Sequence, residues 1–206
     1  MQSGLIVVGG GELARVIIET ALLANRPVLG FVDPLPCEET SSRTGVRRLG
    51  GDRFLSDYPS ANLILGVGSI KVSSARQNIV KSMNGARWSS MIHPSAQVSE
   101  TAIIEDGAII LAGAVVSSGA KIGKHCIVNI GAMIDHDVLV GDFVHLAPRA
   151  ALGGGSKVGA GSYIGMDACL RDHTIINENT MVGMGAVVAK EYPAGSLLVG
   201  VPARPI

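Results

Sequence analysis

Aromatic side chains are scarce: Phe, Tyr and Trp make up 3% of the 206 residues. A core built mainly from rings is excluded, and Val, Ile, Leu and Ala must fill the interior. Cysteine is also sparse. Cys37, Cys126 and Cys169 are odd in number and unrelated in spacing. That argues against a disulfide framework or a zinc finger and for a reducing, cytoplasmic setting. Neither charge sign is in excess, since 17 basic residues balance 17 acidic ones. With no long basic run, nucleic acid and anionic membranes are poor partners. No apolar run approaches the length of a membrane span. The opening MQSGLIVVGGGE lacks the charged start of a signal peptide.

What the chain has instead is a repeat. From Val98 to Val188 every sixth residue is a branched aliphatic, sixteen in succession. The residue two places earlier is nearly always small, as at Ala108, Ala114, Cys126 and Ala150, with only Val138 and Val144 larger. Neither helical spacing nor strand alternation produces this pattern, whereas a hexapeptide β-helix does. Each hexad is then one short strand and a turn. Its aliphatic points into a narrow prism and stacks on the coil above. One hexad cannot bury its apolar face, but a stack makes a continuous core.

Before the repeat, the pattern changes. Leu5 to Val8 reads as a buried parallel strand, followed by Gly9-Gly10-Gly11. Apolar residues at Leu13, Val16, Ile17, Ala21 and Leu23 give a helix over 12–24. Val28 to Val32 is a second strand, closing at Asp33-Pro34. Residues 35 to 50 read as a loop. Leu63 to Val67 is a third strand, Ser73 to Met83 a helix and Trp88 to Ile92 a last strand. The fold expected is α/β, half of a doubly wound nucleotide-binding domain, over 1–92. A β-helix domain follows over 93–190, and a proline-bearing cap or tail over 191–206.

The glycine turn matches G-x-G-x-x-A, with Asp33 beyond the second strand. Its glycines would let a phosphate approach backbone N–H groups at a helix N-terminus. The alternative is a tight strand-to-helix turn that binds nothing. The region is too short for both mononucleotide halves, so one nucleotide diphosphate group fits better than NAD.

Five histidines are the candidates for chemistry. His93 precedes proline at the domain junction and reads as structural. His125 and His173 occupy one hexad position, expected at the surface. His136 stands between Asp135 and Asp137 at the turn after inward Ile134. Adjacent carboxylates raise an imidazole's pKa, and such a group can take a proton from an attacking amine or hydroxyl. The competing reading is a solvated surface histidine among acids. His145 lies half a coil away, so one protomer does not bring it to the same edge, while a neighbouring protomer in a ring can. The spacing does not match a zinc site, and no metal is expected.

Taken in order, VVGGGELARVIIE, FVDP, LGVGS, IHPSA, the hexads, the Asn129-to-Asp137 segment and GVPAR resemble the bacterial sugar O-acyltransferase family of hexapeptide enzymes, which includes the sialic acid O-acetyltransferases. The closest resemblance is to N-acetyltransferases of nucleotide-linked 4-amino-sugars, of the bacillosamine and perosamine type. That resemblance implies a left-handed β-helix, acetyl-CoA as co-substrate and a homotrimer with active sites between protomers. It makes His136 the general base and Asp137 its support. His145, Gly154, Met166 and Met184 would line the acetyl-CoA path. Gly11, Glu12, Leu13, Asp33, Pro34 and Asn129 would bind the nucleotide sugar. The family commonly reads G-x-G-G-H-A at the first turn, where this chain has Glu12 and Leu13 in place of Gly and His. A carboxylate facing a diphosphate repels it, so either Glu12 points away or the ligand differs from a UDP-sugar. O-acetylation of a sugar hydroxyl and a non-catalytic β-helix scaffold are the other readings.

Overall fold

The computed structural model describes residues 4–69 and 74–206. They fall into two compact units, one of residues 4–68 and 75–94, the other of residues 69, 74 and 95–206.

The first unit is α/β. Strands β1 (Leu5–Val8) and β2 (Val28–Val32) flank helix α1 (Glu12–Leu23). Then come α2 (Glu38–Thr44), β3 (Arg48–Gly50), a 3₁₀ helix at Asp52–Asp57, β4 (Asn62–Leu65), α3 (Ala75–Ser82) and β5 (Met91–Ile92). The sheet order is β3-β2-β1-β4, all parallel. Strand β1 is buried along its whole length because it lies between two others, and it reads as an unbroken apolar run for that reason. Helix α1 buries Ala14, Ile17, Ile18, Thr20 and Ala21. Leu23, expected on the inward face, is 63% exposed. It is the helix's last residue, and the chain already turns there, with the Ala24 and Asn25 N–H groups bonding back to Thr20 and Leu22.

The loop expected over 35–50 is wrong in part, because α2 and β3 occupy it. Pattern did not mark either one. The seven residues of α2 are nearly all polar, and β3 is three residues long, below the length at which alternation shows. The last strand is shorter than expected, with Trp88 making only an isolated bridge to Leu63. The expected start of the third helix at Ser73 lies outside the described residues.

The second unit is a three-sided, left-handed parallel β-helix. Sixteen two-residue strands run from Gln97–Val98 to Val187–Val188, each ending on one aliphatic of the repeat. Partners in the ladder are three hexads apart, as in Lys121 with Leu139 and Met133 with Ala151. One coil is therefore 18 residues, and position n lies under n+18. The aliphatics and the small residues two places before them form one core, from Ala108 to Val188. Val138 and Val144 are fully buried in it like their smaller equivalents. After the last coil, strand Leu197–Val199 continues one sheet, and Arg204–Pro205 pairs with it antiparallel. Tyr192, Leu198 and Ala203 join the core there, and Tyr192 Oη donates to Ala203 O at 2.5 Å.

His125 departs from expectation. It is buried and stacks on Phe143, one coil above, at 4.9 Å between ring centres. Both sit at a corner with positive φ, where successive side chains lie one over another. His173, at the equivalent hexad position of another edge, is exposed as expected.

Candidate active site

His136 is held at a corner of the β-helix by ladder bonds on both sides. Its carbonyl accepts from Gly155 N at 2.9 Å, and the next residue's N–H donates to Ser118 O at 3.0 Å. Asp137 adopts the left-handed conformation (φ 57°), which Asp tolerates better than most residues. That turn brings its carboxylate beside the ring, and His136 Nδ1 lies 2.9 Å from Asp137 Oδ2. A carboxylate accepts, so in the neutral ring Nδ1 carries the proton and Nε2 keeps its lone pair. Asp135 Oδ1 accepts the His136 backbone N–H at 2.7 Å. The hydrogen bond to Asp137, then the charge of Asp135, raise the imidazole pKa above its ordinary value. The side chain is 59% exposed, open to a reactant.

The other end of the ring lies over Gly154. A Cβ on that residue would stand 2.6 Å from Nε2 and 2.8 Å from Cε1. The glycine is buried and stands one coil above His136 in the same register. The lone pair and a bare stretch of backbone therefore share one edge.

His145 belongs to a different face. It points outward from its strand, half-buried, with Tyr163 edge-on at 5.2 Å. Its Nδ1 donates to Ser69 O at 2.7 Å, which leaves Nε2 to accept from Asn129 Nδ2 at 3.3 Å. Met166 and Met184 project from the edge next to this face and are 47% and 80% exposed.

In the α/β unit, Gly9 has φ 107°, a conformation that L side chains rarely adopt. Gly10 N donates to Asp33 Oδ2 at 2.7 Å, and Leu35 N donates to Asp33 Oδ1 at 2.8 Å. Thr40 Oγ1 donates to Gly10 O at 2.5 Å. A Cβ on Gly10 would stand 2.8 Å from both Cys37 and Phe31, while one on Gly11 would meet nothing within 4 Å. Glu12, the first residue of α1, is exposed. Burial and the nearby Asp33 push the Cys37 thiol pKa up, away from thiolate chemistry. Among the described residues, no three His, Cys, Asp or Glu side chains cluster as metal ligands, and no helix is long and apolar enough to cross a membrane.

No family model matches the chain. Solved structures do. A structure of PerB from Caulobacter crescentus in complex with CoA and GDP-perosamine is 31% identical, with a TM-score of 0.91 over 100% of this chain and 98% of that one. The acetyltransferase domain of PglB from Neisseria gonorrhoeae FA1090 is 31% identical, with a TM-score of 0.88 over the whole of both chains. The same domain in complex with acetyl coenzyme A is 30% identical, with a TM-score of 0.88 over 98% of each chain. The chain belongs to the nucleotide-amino-sugar N-acetyltransferase family of hexapeptide enzymes.

In this family member, the residues singled out from sequence fall into three groups. His136, Asp137 and Gly154 share one edge. His145 and Asn129 touch each other on another face, beside the edge of Met166 and Met184. Gly11, Glu12 and Leu13 open α1, while Asp33 has both carboxylate oxygens engaged with its own chain. Asn129, expected with the sugar-binding set, stands against His145. Sequence reasoning missed Asp135 as a backbone anchor of His136, and it did not single out Asp172, whose carboxylate lies against the backbone of Gly153. The 18-residue coil would have found the latter, since positions 136, 154 and 172 share one register. It missed Ser69 because nothing in a sequence marks a carbonyl as the partner of a histidine 76 residues away.

Proposed function

We propose that the protein transfers the acetyl group of acetyl-CoA to the amino group of a nucleotide-linked 4-amino-deoxysugar. The observation that carries this reading is the imidazole of His136, its Nδ1 proton held by Asp137 and its Nε2 lying over Gly154. The acceptor amine attacks the thioester carbonyl as Nε2 takes its proton. A backbone N–H near Gly154 steadies the oxyanion. Collapse breaks the C–S bond, and the imidazolium returns the proton to the departing thiolate. Direct attack needs no acyl-enzyme. Two of the three cysteines fit that: Cys126 is buried with Sγ donating to Gly141 O at 2.9 Å, and the Cys37 thiol pKa is pushed up.

In this reading the α/β unit binds the nucleotide sugar. Its phosphates lie near Gly11, Glu12 and Leu13, and the Asp33-Pro34 turn lies near the base. The open space at Gly11 supports this, and the exposure of Glu12 leaves room for its carboxylate to turn to solvent. His145, Met166 and Met184 of one protomer line acetyl-CoA opposite the His136 edge of its neighbour in a homotrimer, with Asn129 alongside. Support comes from apolar side chains on outward β-helix positions, with Ile103, Met133 and Leu139 all more than 40% exposed.

The test is thiol release from acetyl-CoA with a panel of UDP-, GDP- and dTDP-linked amino sugars. At least one should be acetylated, and His136→Ala should cut its turnover by roughly 10²–10⁴-fold. Unchanged turnover in that variant defeats the assignment of the base. A monomer in sedimentation equilibrium defeats the shared site.

A further inference from the structure

Two adjacent glycines stand over His136, and a second polar side chain lies on the far side of the coil they form. A Cβ on Gly154 would stand 2.6 Å from His136 Nε2, and one on Gly153 would stand 2.7 Å from Asp172 Oδ1. The imidazole presses on this coil from below and the carboxylate from above. Asp172 occupies the hexad position of His136 two coils higher. The turn that carries it is tied down by the His173 N–H, which donates to Gly154 O at 2.9 Å. With glycine at 153 and 154, the coil between the two groups carries backbone and no side chain.

We infer that Asp172 is a positioning residue for His136: its carboxylate, set beyond the bare coil from Nε2, favours the imidazolium that forms as the acceptor amine attacks. This rests on the acetyltransferase reading above. The charged groups around the ring are Asp135 and Asp137 from its own turn and Asp172 from above, while His173 leans over Gly155. The hydrogen bond to Asp137 is the largest influence raising the imidazole pKa, the charges of Asp135 and then Asp137 follow, and the charge of Asp172 adds the smallest push in the same direction. Removing Asp172 disfavours the charged ring, so the base form should persist to lower pH.

The fold supplies its own control. Asp142 has the same hexad position on another edge and the same contact, its Oδ1 lying 2.7 Å from a Cβ on Gly123. There it accepts Lys124 N at 2.8 Å, and the residue one coil below it is lysine. Asp172→Asn and Asp142→Asn should therefore disturb similar turn geometry but only one imidazole.

The experiment is an NMR titration of the His136 ring, together with the pH profile of kcat/KM, in wild type and both variants. Asp172→Asn should lower the His136 pKa and move the acid limb of the profile to lower pH, with the KM for acetyl-CoA unchanged. Asp142→Asn should leave both curves in place, and Asp172→Glu should restore the titration. A His136 titration in Asp172→Asn that superimposes on wild type overturns the inference, as does an equal shift in Asp142→Asn. Should Asp172→Asn not fold, Asp172→Ser is read in the same way. The titration needs no sugar, so failure to acetylate any nucleotide sugar defeats the functional reading while the role of Asp172 is still decided.

Discussion

The chain contains two Gly-Gly-Gly stretches, 9–11 and 153–155, and the protein uses them in opposite ways. In the first, the missing side chain of Gly10 makes room for the chain itself. Cys37 and Phe31 fill the space, and Asp33 takes the N–H. Only Gly11 faces open space. In the second, each glycine yields to a polar side chain from a neighbouring coil: Asp172 at 153, His136 at 154 and His173 at 155. The first stretch closes a turn and leaves one open position, at Gly11. The second leaves bare backbone against which three titratable side chains lie. Similar sequence gives different chemistry because a βαβ turn folds against buried apolar side chains, whereas a β-helix corner faces solvent.

Substitutions at single glycines separate these roles. The largest effect is expected for Gly154→Ala. Its Cβ displaces the imidazole, and a misplacement of about 1 Å costs about 10²-fold in kcat. Thermal stability should hardly change, because the displaced group is the far end of an exposed side chain. Equal losses of stability and activity would mean that the glycine is structural. Gly10→Ala should do the reverse. Its Cβ meets packed Cys37 and Phe31, and overpacking costs about 1–3 kcal/mol in a denaturant melt, while His136 chemistry continues in the folded fraction. Gly155→Ala should cost about 1–2 kcal/mol, since φ is 63° there and a side chain is strained whatever the space.

Asp137→Asn tests the pH dependence. The His136 pKa is raised in the folded protein, so activity rises only as pH passes above that raised value. Replacing Asp137 should move this limb to lower pH and reduce plateau activity, because an amide no longer fixes the ring as a carboxylate does. A limb that stays in place would separate Asp137 from the base. The smallest structural effect is expected at Gly11. Gly11→Ala should leave the melting temperature unchanged and weaken nucleotide-sugar binding in calorimetry. Unchanged affinity would place the phosphates elsewhere.

Much of the site was legible in the sequence where the hexad acts as a ruler. The repeat placed Ile134 inward, His136 at the turn and Gly154 one coil above, and the imidazole occupies the space a Cβ on Gly154 would need, as that register requires. The same ruler contained Asp172. Legibility failed where a contact depends on side-chain direction. His125 and His173 share a hexad position, yet one is buried under Phe143 and the other is exposed. The difference lies in the residue one coil away, which a linear pattern does not weigh. In the α/β unit, α2 and β3 were missed because neither carries a period long enough to see.

The sequence by itself determined the β-helix, its phase and the edge that carries His136, because inward aliphatics at every sixth residue leave one register that buries them. The opening βαβ unit followed from its apolar runs and its glycine turn. Only the tertiary structure decided which atoms meet. It set the Nδ1 proton on the Asp137 side and turned the Asp33 carboxylate onto the Gly10 N–H. It also engaged both nitrogens of His145, with Ser69 and Asn129. Those choices rest on rotamers and hydrogen bonds between residues far apart in the chain, where a repeat fixes positions but not directions.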